Sequence, residues 1–332
     1  MAPYGMEKEC DFREMSIHET IRSENESDQV REISTRLKTL EAGDLILFKN
    51  RNISTILQTP NYRWFDEKAV SAQNNLYLEK YKLHYCKIDK NMGSTMQAIF
   101  CYIDDQKRYH RLFFDHSWLH GLDGTECGKS TAYGPLRKRF LKAAEEIDFF
   151  AEKSEIYHFS IIRHPIGRFI SAFIDICINR ARRPRMSKLL CFACRGNLEC
   201  FVPKLHDFLY KQSVHRPVNK WPLDWHFLPQ SWYCDYDRYL NKYDQLLRYG
   251  RNDQFRTEVV DMLGKRGVPP DLLSDIEKQL KTKKNLHATF DRSSEYEKKL
   301  MNNPLLLEYV YKIYHLDFVW FGYRLNTTNI GG

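Results

Sequence analysis

The 332 residues are 42% hydrophobic, 14% aromatic and 28% charged: ample material for a packed core, and not the composition of a disordered chain. Fifteen Gly and twelve Pro exclude a collagen-like or low-complexity sequence. The net charge of +8 is uneven, because the first 40 residues are acidic while 161–190 sets seven bases against the single acid Asp175. Such a patch fits an anionic partner or a solvated basic face.

Residues 1–40 read as a flexible acidic lead-in, with a short amphipathic helix possible over Gln29–Leu40. The first residues lack the apolar core of a signal peptide. Apolar runs such as Leu45–Phe48 fall far short of the roughly 20 residues that span a bilayer, so no transmembrane segment is expected. Residues 41–325 contain no Pro/Gly/Ser-rich linker and no internal repeat, and are expected to form one domain.

Within that domain two segments share a grammar. Leu83–Ile88 is a short strand-like run that enters Asp89-Lys90-Asn91-Met92-Gly93; a helix-like stretch follows from Ser94, with Met96, Ile99, Phe100 and Ile103 on one face. Ile156–Ile162 is a clearer strand that enters Arg163-His164-Pro165-Ile166-Gly167; its helix carries Phe169, Ile170, Phe173, Ile174 and Cys177 on one face. Strand, loop and helix in that order make the βα unit of a parallel sheet, so the expected class is α/β with a central parallel sheet, phosphate-binding βα loops and extra C-terminal helices. Trp232–Tyr236 reads as a further strand. Lys204–Gln212, Glu258–Arg266, Pro270–Leu280, Ser294–Met301 and Leu305–Tyr314 read as helices.

Of the nine Cys, five lie between 177 and 234. Cys191, Cys194, Cys200 and His206 have the makings of a zinc site, but no second CxxC pair is present. Disulfides among Cys177, Cys191, Cys194, Cys200 and Cys234 are the preferred expectation. Sequons at Asn25, Asn52 and Asn326 are near chance for this length and only permit a secretory reading.

The two βα loops carry the chemistry. In the first, the amides ahead of the helix form an anion cradle. Gly93 permits close backbone approach, Ser94 and Thr95 add hydroxyls, and Lys87 and Lys90 add charge. Walker A spacing is absent, and the Lys precedes the Gly. In the second, Arg163 ends a strand, and Ser171 lies on the helix face of Gly167 and Arg168; an Arg and a hydroxyl aimed at one point suit a phosphate monoester. A plain βα turn with surface cations is the bland alternative for either loop alone.

Taken together, these blocks resemble the Golgi carbohydrate sulfotransferases of the chondroitin and HNK-1 type, in sulfotransferase family 2. Cys86–Thr95 resembles that family's 5′-phosphosulfate loop, and Ile162–Phe173 its 3′-phosphate motif. Trp225–Cys234 with Tyr243-Asp244 resembles its acceptor-side segment, and Tyr314–Tyr323 its C-terminal signature. The resemblance implies 3′-phosphoadenosine 5′-phosphosulfate (PAPS) as donor, no metal, and a glycan acceptor. That acceptor is expected to be a glycosaminoglycan, with chondroitin-type N-acetylgalactosamine O4 foremost. Nucleic acid is not an expected partner, and the expected location is the Golgi lumen or membrane, although no anchor is visible in this chain. Carried over residue by residue, Lys87, Lys90, Asn91, Met92, Gly93, Ser94 and Thr95 hold the phosphosulfate, and Arg163, Arg168 and Ser171 the 3′-phosphate. Lys90 also stabilises the leaving group. The chain departs from the family at Asp89, where Pro is usual.

The resemblance does not fix the base that accepts the acceptor's proton. His226 is the candidate, for its pKa and its place between Trp225 and Phe227; His116 and His120 are rivals. Three other readings compete: a PAPS- or glycan-binding protein without catalysis, a nucleotide kinase, which would want Walker A, and a zinc-dependent nucleic-acid binder, which leaves both βα loops unused.

Overall fold

The computed structural model describes residues 75–104, 106, 150, 155–180, 184–214, 225–250, 252–282 and 290–325. The acidic lead-in with its Gln29–Leu40 helix, the three sequons, His116, His120, and the centre of the basic stretch at Arg182 and Arg183 lie outside these residues.

Four short strands form one sheet in the order β1 (Asn75–Leu78), β2 (Leu83–Cys86), β3 (Tyr157–Ile162), β4 (Gln245–Arg248). β1 runs antiparallel to β2, joined through a turn in which Lys82 takes a left-handed conformation. β2, β3 and β4 are parallel, with Leu83 opposite Tyr157 and Phe159 opposite Gln245. The α/β expectation therefore holds, with an antiparallel edge strand added.

Alternation along β3 divides the core. Phe159 and Ile161 face one apolar layer, whereas Ile162 faces the other. The first layer is covered by α1 (Gly93–Asp104), α6 (Asp253–Lys265) and α7 (Pro270–Thr282). Tyr85 stacks on Phe159 there, with ring centroids 4.9 Å apart. The second is covered by α2 (Pro165–Phe173), α4 (Leu198–Val214), α8 (Phe290–Met301) and α9 (Pro304–Trp320). Helices on both faces explain why these strands read as apolar runs rather than as strict alternation. α2 passes directly into a π-helix, Ile174–Arg180, and then α3 (Pro184–Cys191) follows.

Trp232–Tyr236 is not a strand. Gln230–Trp232 forms a 3₁₀ turn, Cys234 and Asp235 take left-handed φ values of 66° and 47°, and α5 (Tyr236–Tyr239) begins at once. The aromatic run that looks like a strand instead buries Tyr233 and Tyr236, three residues apart, by turning. The helices Lys204–Gln212 through Leu305–Tyr314 are all present as α4, α6, α7, α8 and α9, each longer than expected, although α6 stops at Lys265, one residue short of Arg266. Within α9 the backbone departs from helical values at Tyr314.

Candidate active site

Parallel strands place the loops after β2, β3 and β4 at one end of the sheet, where open α/β sheets hold ligands. The first loop turns as the Asn91 amide donates to the Ile88 carbonyl at 3.2 Å. Lys90 and Met92 adopt left-handed φ of 69° and 63°, a conformation that costs a non-glycine residue roughly 1–2 kcal/mol. Asn91 secures it: its side chain is fully buried and donates to the Ile161 carbonyl at 2.8 Å and to Gln230 Oε1 at 2.5 Å. Gly93 opens α1 because a Cβ there would lie 2.6 Å from Lys87 Cγ. The Lys87 stem thus lies over the first turn, whose N–H groups have no intrahelical acceptors. Ser94 is exposed on that turn and Thr95 half-buried.

The second loop leaves β3 at Arg163. Its guanidinium lies 4.8 Å above the Tyr249 ring, and its Nη1 donates to the Lys90 carbonyl at 3.0 Å. Pro165 starts α2 with its fixed φ and its missing N–H, both suited to a first turn. Ser171 lies nearly two turns further along and is buried. Arg168 is almost fully enclosed: Nε donates to the Asp89 carbonyl at 2.9 Å and Nη1 to the Leu228 carbonyl at 2.5 Å. These bonds make Arg168 a brace between the first loop and the Trp225–Gln230 segment. Met92 packs against the apolar layer on the α1 side of the sheet.

Charge at the loops is concentrated and paired. Burial raises the Asp89 carboxyl, yet Lys87, His226, Arg168 and Lys90 together outweigh it and hold the group below the usual carboxylate range. Lys87 Nζ stands 3.9 Å from Asp89 Oδ1. Lys90 Nζ is 2.9 Å from Asp175 Oδ2. Burial is the main cause that pulls the Lys90 ammonium down, with Arg163 and Arg180 adding to it and Asp175 opposing. For Asp175, burial pushes upward but Lys90 and Arg180 prevail, and the carboxyl stays low.

His226 sits half-buried on the 3₁₀ turn Trp225–Phe227. It lies within electrostatic reach of Asp89, and two residues on, Leu228 shares Arg168 with the Asp89 loop. It therefore belongs to the same end of the sheet as Lys90 and Arg163.

Two residues in the quoted sequence blocks, to which no role attaches from sequence, hold the loops in register. The Gln230 side chain accepts from the Arg163 amide at 2.9 Å and donates to the Arg163 carbonyl at 2.8 Å. Asp317, fully buried on α9, accepts from the backbone amides of Gln230 and Ser231 at 2.8 and 2.7 Å. Burial raises the Asp317 carboxyl while Arg168 and those amides oppose. A lone acid or amide inside an apolar run is the sequence signal for such a residue, since buried polar groups need partners.

One of three disulfides among the described residues reinforces the same corner. Cys177–Cys191 and Cys194–Cys200 are disulfides. Cys234 pairs with Cys86 across 148 residues, tying the end of β2 to the segment after Gln230. All five clustered cysteines are thus disulfide-bonded, as expected, but one partner lies outside the cluster.

No solved structure matches this chain. Among curated proteins, it is 27% identical over 257 residues to the Caenorhabditis elegans carbohydrate sulfotransferase chst-1, covering 75% of each chain. An uncharacterized protein of the same organism is 30% identical over 251 residues, which is 74% of this chain and 67% of that one. The putative sulfotransferase vep-2 is 27% identical over 215 residues, 63% of each. Residues 73–324, which include both βα loops, the Gln230 segment and α9, match the model of the sulfotransferase family, and the chain belongs to that family.

Proposed function

We propose that the protein transfers a sulfuryl group from PAPS to a glycan hydroxyl. The observation that carries this reading is the meeting of two βα loops 73 residues apart, with Arg163 bonded to the Lys90 backbone and Lys90 itself presenting an ammonium at the same point. One anion-binding loop is common. Two that converge suit a donor with phosphates at both its 5′ and 3′ positions. The carbohydrate sulfotransferase among the relatives supports a glycan acceptor.

In the reaction the acceptor oxygen bonds to sulfur, the bond from sulfur to the bridging phosphate oxygen breaks, and the hydroxyl proton goes to a base. Lys87, the first-turn amides of α1, Ser94 and Thr95 bind the 5′ end of the donor. Arg163 and Ser171 bind the 3′-phosphate. Lys90 stabilises the negative charge that grows on the leaving phosphate, where a fixed cation in a partly dry site counts most. His226 receives the proton. Arg168, Asn91, Gln230 and Asp317 keep the two loops at their spacing. Chondroitin-type N-acetylgalactosamine O4 is the acceptor we favour. The disulfides support an oxidising secretory compartment such as the Golgi lumen.

Labelled PAPS incubated with a panel of desulfated glycosaminoglycans tests this. Label should pass to at least one of them, with unsulfated chondroitin preferred. Lys90→Ala should lower kcat by about 100-fold or more, the scale of losing one electrostatic stabiliser. Tight PAPS binding with transfer to no acceptor would replace the reading with a binding protein.

A further inference from the structure

Asp175 is the single acid in a stretch of bases, and it takes three hydrogen bonds at the edge of the site. Lys90 Nζ donates to Oδ2 at 2.9 Å; Arg180 Nη2 donates to Oδ2 at 2.8 Å and Arg180 Nε to Oδ1 at 3.1 Å. The carboxylate side chain is 5% exposed, Lys90 13% and Arg180 47%. Asp175 and Arg180 lie five apart on the π-helix Ile174–Arg180. The wider π turn brings residues i and i+5 onto one side, where an α-helix separates them, and such turns recur at functional sites. Lys90 is therefore held at both ends: Arg163 clamps its left-handed backbone through the carbonyl, and Asp175 clamps its ammonium.

We infer that Asp175, backed by Arg180 on the π-helix, is the positioning residue for Lys90. The inference rests on the proposed role of Lys90 in sulfuryl transfer. An ammonium on a four-carbon stem has many rotamers, and a fixed carboxylate removes most of them. One of its three N–H groups is spent on Asp175, which leaves two to direct at a bound oxygen. Two cations share one carboxylate, so the cluster keeps a net positive charge toward the donor. The half-exposed Arg180 carries that charge outward along the surface. Burial and the neighbouring Arg163 and Arg180 work against the Lys90 ammonium, and Asp175 opposes them.

The test measures Lys90 directly. Donor-free protein is treated with acetic anhydride, and acetylation of Lys90 is timed by mass spectrometry in wild type, Asp175→Asn and Arg180→Gln. Loss of the carboxylate favours the neutral amine, so Asp175→Asn should speed acetylation by about tenfold. Loss of Arg180 leaves the carboxylate to Lys90 alone, so Arg180→Gln, at a half-exposed site that tolerates change, should slow it. With labelled PAPS and acceptor, Asp175→Asn should lower kcat by about tenfold or more while the donor KM stays within about twofold. Equal acetylation rates in all three proteins, or wild-type kcat in Asp175→Asn, overturns the inference. Should Asp175→Asn fail to fold, the Arg180→Gln rate decides alone, faster or unchanged labelling counting against us. Full turnover by Lys90→Ala is the separate result that removes Lys90 from catalysis, whatever the labelling shows.

Discussion

Asp89 places a carboxylate in the loop that we assign to the phosphosulfate. Burial works against its charge, but Lys87, His226, Arg168 and Lys90 keep it ionised. An ionised Asp89 repels an incoming phosphate and engages Lys87, 3.9 Å away. Like charges about 4 Å apart cost roughly 1 kcal/mol when water screens them. Asp89→Asn keeps the backbone carbonyl that Arg168 needs. It should therefore bind 3′-phosphoadenosine 5′-phosphate (PAP) about fivefold more tightly by calorimetry; weaker binding would mean that Asp89 supports the donor site. The sequence singles out Lys90, Arg163 and Ser171 as candidates because each follows a strand and a turn at a fixed offset. Gln230 and Asp317 carried no role there, because their work depends on partners 67 to 87 residues away. Asp175 showed only as a lone acid among bases, and its bond to Lys90 spans 85 residues.

Among the elements, the helices announced themselves through 3.6-residue periodicity, and β2 and β3 through apolar runs feeding turns. β1 and β4 are four residues each, and β4 offers only Leu246 and Leu247 as apolar signal. They become strands by pairing with neighbours, which local sequence does not encode. The parallel pair β2–β3 also encloses titratable groups. His84 Nδ1 and His158 Nδ1 stand 3.0 Å apart across the strands, one donating to the other. Burial, with His158 adding to it, pushes His84 well below its ordinary value. Burial likewise brings His164, beside β3, and His315, on α9, down to about 4. A histidine depressed in the folded state takes its proton only on unfolding between about pH 6.5 and 4. The stability it contributes is complete above pH 6.5 and is lost as pH falls toward 4. Asp317, raised by burial, works in the opposite direction. For His164 and His315 the loss by pH 5 is on the order of 2 kcal/mol each. Urea unfolding should show clearly lower stability at pH 5 than at pH 7.5; equal midpoints would mean that these rings are charged in the folded protein.

At the scale of the whole molecule, distant segments are tied together at one end of the parallel strands. Cys86–Cys234 closes a 148-residue loop at the point where β2 gives way to the Lys90 turn, and Arg168 and Gln230 bind the same corner with side chains. A rigid corner built from distant segments is what two phosphate sites at fixed spacing require. The most direct measurement is the affinity for PAP against adenosine 5′-monophosphate, which differs only by lacking the 3′-phosphate, in wild type and Arg163→Ala. One charge-assisted hydrogen bond contributes roughly 1.5–3 kcal/mol. Wild type should therefore prefer PAP by about tenfold or more, and Arg163→Ala should lose most of that preference without unfolding. Equal affinity of wild type for both nucleotides, or an undiminished preference in Arg163→Ala, would contradict the assignment of the second loop to the 3′-phosphate and with it the donor site proposed here.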